Sequence, residues 1–62
     1  MFANVNAATN NLSLISLKSK ELQFKFASVA QQQFISSRLV ESVKDNIQET
    51  LETSERMLKV LS

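Results

Sequence analysis

A chain of 62 residues, 44% hydrophobic and 21% charged, with no Gly, Pro, Cys, His, Trp or Tyr, has room for one small domain whose lone core is marginal. With neither Cys nor His, disulfides and His or Cys metal sites are excluded as supports, and self-association is the route left to stability. Seven Lys and Arg against six Asp and Glu leave a net charge of +1, too little to build a phosphate-neutralising surface, which argues against a nucleic-acid partner.

Residues 1–11 are rich in Asn and Ala (Asn4, Asn6, Asn10, Asn11) and carry no Lys or Arg. They are expected to form a flexible leader, with Asn10 or Asn11 capping the helix that follows. They hold no basic segment followed by an apolar one, as a secretory signal would require. A product made in the cytoplasm is expected, compatible with export that needs no signal peptide.

Residues 12–62 read as a single helical segment or a hairpin, because nothing in a chain without Gly and Pro forces a turn. With Val5 at position a of a heptad, the a and d positions run unbroken to Leu61, and twelve of the seventeen are apolar. From Leu12 to Ala30, Leu14, Leu17 and Phe24 fall off that stripe, so this block is apolar on more than one side. The stretch Leu12–Ser13–Leu14 and the run Leu22 to Phe26 also alternate with period 2, which leaves a β-hairpin as a minor alternative.

The segment 31–37 places Gln33 and Ser36 on the seam itself. A break there makes a helical hairpin; an uninterrupted helix with one polar layer is the equal alternative. From Ser36 or Ser37 onward the pattern sharpens. Val40, Val43, Ile47, Leu51, Ser54, Leu58 and Leu61 share one face, with Glu41, Asp45, Gln48, Glu49, Glu52 and Lys59 on the other. The fold expected is all-α: a long amphipathic helix or two-helix hairpin that associates into a helical bundle. Its interaction seam comprises Leu12, Ile15, Leu22, Phe26, Val29, Val40, Val43, Ile47, Leu51, Leu58 and Leu61. Polar seam residues (Ser19, Gln33, Ser36, Thr50, Ser54) would lower stability while restricting register and partner.

The chemical inventory argues against an enzyme. Without His, Cys or Tyr, a Ser nucleophile could be activated only by Lys, as at Ser16 or Ser19 beside Lys18 and Lys20. Nothing nearby would desolvate the amine, so these residues read as a solvated face. Glu41, Asp45, Glu49 and Glu52 lie in a line along a helix rather than around a loop that could wrap a cation. No cofactor, metal or small-molecule substrate is expected. A membrane-surface role is weakly suggested by Lys18, Lys20 and Lys25 beside Leu22, Phe24 and Phe26, but interfacial Trp is absent.

Charge is uneven along the chain. Up to Val40 four basic residues outnumber Glu21 for +3; from Glu41 onward five acids outnumber Lys44, Arg56 and Lys59 for −2. The halves should attract, within a hairpin or between neighbours. Glu52 with Arg56 and Glu55 with Lys59 are also spaced for ordinary i,i+4 pairs.

The run from Gln31–Gln32–Gln33–Phe34–Ile35–Ser36 to Glu55–Arg56–Met57–Leu58–Lys59–Val60–Leu61 resembles short bacterial motility proteins, in which a Gln-rich amphipathic helix runs toward a Leu- and Met-rich end. In texture it is similar to the terminal helices of flagellar axial and type III-exported subunits. The resemblance covers about half the chain, transfers no site residue, and implies a helical subunit of a motility, secretion or filament assembly. Two functions are therefore expected: a small structural protein that self-associates, or a regulatory, chaperone-like hairpin that binds a helix of a larger partner.

Overall fold

The computed structural model describes residues 2–62, and the side chains of Phe2 and Gln33 lie outside the described set. Two helices, α1 (Phe2–Gln33) and α2 (Ser37–Leu61), account for nearly all of it and pack against each other as a hairpin. The described residues contain no strand, so the period-2 alternation in residues 12–26 lies on helix. With nothing in α1 to break it, the apolar residues gain more by covering a neighbouring helix than by pairing as an unsupported two-stranded ribbon.

The chain reverses at Phe34–Ser36, inside the segment where polar residues interrupt the seam. Phe34 takes φ 55, the left-handed conformation that ends many helices and that glycine adopts at least cost. Ile35 folds back and shares a cavity wall with Ala27, Ala30 and Val40, the apolar contact that usually accompanies this kind of helix end. Ser36 then opens α2 with extended backbone (φ −51, ψ 133), its side chain making no capping hydrogen bond. Its carbonyl instead accepts from the Val40 amide at 3.0 Å.

A bulky residue held in the left-handed region costs on the order of 1–2 kcal/mol, and Phe34, 95% exposed, recovers almost none of this by burial. Phe34→Gly is accordingly expected to stabilise the hairpin by about 1 kcal/mol, raising its thermal midpoint by several degrees in a circular dichroism melt. An unchanged or lowered midpoint would contradict this account of the turn.

The molecule is 48 Å long, the length a 32-residue helix reaches at 1.5 Å per residue, so α1 spans it from end to end. The 25-residue α2 is shorter by about two turns. Ala30 shares a cavity with Val40, Gln23 bonds Gln48, and Leu12 lies by Thr53 and Met57, an antiparallel register in which paired residue numbers sum to about 70. Leu61 thus reaches the level of Thr9, and Ala3–Ala7 project past it with exposed side chains. The Asn-rich leader therefore continues α1 in the described residues, and Asn10 and Asn11 sit inside that helix instead of capping it. Asn is a poor helix former but not a breaker, and no Pro or Gly stops α1 from extending through it.

The core is thin. Ile47 and Leu51, each 7% exposed, are its buried apolar residues, joined by the buried hydroxyls of Ser19 and Ser54. Ser54 Oγ donates to the Thr50 carbonyl at 2.9 Å, which lets a polar side chain sit in the seam without an unmet hydrogen bond.

Candidate functional site

Each helix contributes differently to the seam. The residues of α2 turned inward are Val40, Val43, Ile47, Leu51, Ser54, Leu58 and Leu61, all buried or half-buried. Opposite them α1 presents Ala8, Thr9, Leu12, Ser16, Ser19, Gln23, Phe26 and Ala30. The a/d stripe of α1 is therefore not its inward face: the helix uses its a and e positions, with small or polar Thr9, Ser16, Gln23 and Ala30. The branched side chains on α2 are accommodated where α1 is slim, because small residues let two helix axes approach closely.

Of the expected interaction residues, Leu12, Phe26, Val40, Val43, Ile47, Leu51, Leu58 and Leu61 lie between the two helices, whereas Ile15, Leu22 and Val29 are exposed. These three, spaced by seven, form a stripe roughly 80° round α1 from the seam. That stripe borders one of two long flanks of the hairpin.

The flanks differ in chemistry. On one, Ile15 and Leu12 share a groove with Asn46, Thr50, Thr53 and Met57, and Leu22 shares the next with Val43, Asn46 and Thr50. Leu39, five turns before Met57, falls on the same line of α2. Glu49 is the only charged residue lining these grooves. On the other flank, Gln23 and Gln31 of α1 meet Glu41, Lys44, Asp45 and Gln48. There Gln23 Nε2 donates to Gln48 Oε1, and Gln48 Nε2 donates to Glu52 Oε2 at 3.3 Å. One flank thus satisfies itself with amides and charges, while the other presents exposed apolar side chains to the solvent.

The uncharged flank is the candidate site, an interaction face. Its exposed Ile15, Leu22, Val29, Leu39 and Met57 gather apolar side chains along one side, with Asn46, Thr50 and Thr53 between them on α2, and exposed apolar groups gathered in this way mark interaction sites. Leu17 and Phe24 lie on α1 away from this face, Phe24 being 80% exposed. Sequence reading placed Ile15, Leu22 and Val29 in one seam with Leu12 and Phe26; it missed that they make a second surface. A signal was present in the breadth of the apolar pattern in α1, which exceeds what one neighbour can cover.

The charges are spent locally. Among the described residues the ion pairs are Lys18–Glu21 at 4.0 Å and Glu41–Lys44 at 3.8 Å, each within one helix and largely exposed, a class worth little to stability. Glu52–Arg56 and Glu55–Lys59 are not among them; Arg56 instead donates to Thr53 Oγ1 at 3.1 Å. No ion pair joins α1 to α2 among the described residues, so the attraction expected between the halves is not exercised inside the hairpin.

Ser16 and Ser19 turn toward α2 while Lys18 and Lys20 are exposed, so the hydroxyls and amines do not converge. Among the described residues no three metal-binding side chains come together, and no helix is long and apolar enough to cross a membrane. Comparison with protein-family models, with curated proteins and with solved structures finds no match for the chain.

Proposed function

We propose that this protein is a small structural subunit that associates with copies of itself through the uncharged flank of its hairpin. The observation that supports this is the imbalance between what the hairpin buries and what it leaves out: Ile47 and Leu51 are buried, while Ile15, Leu22, Val29, Leu39 and Met57 remain 41% to 55% exposed along one side. A core one layer deep leaves a helix pair marginal, and covering that side supplies the second layer. Two hairpins stacked in this way form a four-helix bundle.

The setting proposed is a motility, secretion or filament assembly, made in the cytoplasm and open to export without a signal peptide. The Gln-rich and Leu-rich texture of residues 31–61 supports that setting. The same face would also accept one amphipathic helix of a larger protein, so the second reading is an adaptor hairpin that stays monomeric until its partner arrives.

Thermal unfolding across protein concentration separates the two. Association coupled to folding makes the midpoint rise with concentration, by several degrees over a hundredfold range. A midpoint that holds constant, with a two-state transition, would refute self-association and favour the adaptor.

A further inference from the structure

Resting on the self-association just proposed, we infer the geometry of the pair: the uncharged flanks of two copies meet about a two-fold axis parallel to the helices, so that α1 of each copy lies antiparallel on α2 of the other. Where the two helices run side by side, the flank is about 37 Å long and 15 Å wide. With side chains included, that is on the order of the 800 Å² per partner that a stable interface buries.

Two facing hairpins allow two symmetric arrangements in which every neighbouring helix runs antiparallel. With the axis parallel to the helices, α1 covers the partner's α2; with the axis in the same face but across the helices, α1 covers α1 and α2 covers α2. Charge decides between them. On α1, Lys18 and Lys25 lie just outside the Ile15–Leu22–Val29 stripe, roughly 40° further from the seam. On α2, Glu49 occupies the matching outer position beside Asn46 and Thr53. In the first arrangement axial level is preserved, so Glu49 comes level with the Lys18–Glu21 pair of the other copy and about one turn from Lys25, the unpaired lysine of that edge among the described residues. In the second, those lysines face lysines, which complementarity disfavours.

Helix totals agree with this pairing. Three Lys against Glu21 make α1 +2, while five acids against Arg38, Lys44, Arg56 and Lys59 make α2 −1. Lys18–Glu21 and Glu41–Lys44 pair within their own helices, and no ion pair links α1 to α2 among the described residues, so Lys25 of α1 and Glu49 of α2 stay available to a neighbour. The apolar levels also match: Leu22 reaches the level of Asn46, and Val29 that of Leu39.

A chain without cysteine permits a clean test by disulfide trapping. Leu22→Cys and Asn46→Cys chains are prepared separately and then mixed under mild oxidation. The geometry inferred here predicts a disulfide-linked species of twice the 7.0 kDa chain mass in the mixture, at least tenfold above either chain alone. Trapping of Leu22→Cys with itself would overturn this geometry, because residue 22 faces its own copy only when α1 covers α1, and would leave self-association standing. No trapping in any combination, with both chains sedimenting as folded monomers, would overturn the inference together with the reading it rests on.

Discussion

Replacing Leu51 with Ala should abolish most of the hairpin's helical signal near room temperature, whereas replacing Val60 with Ala should leave it almost unchanged. Leu51 is 7% exposed and Val60 84%, so the two truncations separate lost packing from lost helix content. Leu→Ala at a packed site costs about 2–5 kcal/mol, and a chain of this size holds roughly 3–9 kcal/mol in all. The exposed change should stay within about 0.5 kcal/mol. The loss is cooperative because neither helix is secure alone: α1 opens with four Asn in its first third (Asn4, Asn6, Asn10, Asn11), and helices in proteins take most of their stability from tertiary packing. Denaturation of both variants followed by circular dichroism reads the difference, and equal midpoints would show that Leu51 does not anchor the helix pair.

The double substitution Ile15→Lys with Leu22→Lys should instead leave the helices formed and abolish the proposed self-association. Both side chains are about half exposed on the hairpin, and Lys is a good helix former, so the single chain tolerates the change. At the interface each replacement removes on the order of 1–2 kcal/mol of apolar burial and desolvates an ammonium, a cost that Glu49, the one acid in these grooves, cannot offset for both. Association should weaken at least a hundredfold, or about 3 kcal/mol. Leu17→Lys with Phe24→Lys, equally apolar but away from the face, should weaken it far less. Comparable loss in both pairs would mean that association depends on general hydrophobicity and not on this flank.

How much of this was legible beforehand depended on how one-sided each helix is. In α2 most apolar residues keep to one stripe, with Leu39, Met57 and Val60 exposed outside it, and the face read from spacing, Val40 through Leu61, is the one turned toward α1. The break fell within the polar interruption of the seam, at Phe34–Ser36, although Gln31 to Gln33 have no intrinsic reason to stop a helix. Tertiary packing supplied the reason, since reversal lets α2 cover its apolar stripe. In α1 the apolar residues are spread around the helix, and periodicity alone could not fix its phase. The inward face includes Ser16, Ser19 and Gln23: Ser19 lines a groove with Ile47 and Gln23 bonds Gln48, a complementarity that lies in the pair and not in either segment. The same spread is what left Ile15, Leu22 and Val29 free to form a second face. The leader, expected to be flexible, is helical from Phe2 on in the described residues for a related reason: weak propensity without a breaker does not end a helix.

Self-association through the uncharged flank is tested most directly by sedimentation velocity over a hundredfold concentration series, run on the native chain and on the Ile15→Lys, Leu22→Lys variant together. The native chain should move from a 7.0 kDa species to a discrete dimer or larger assembly while the variant stays monomeric and helical at every concentration. A native chain that sediments as a folded monomer throughout would contradict the account.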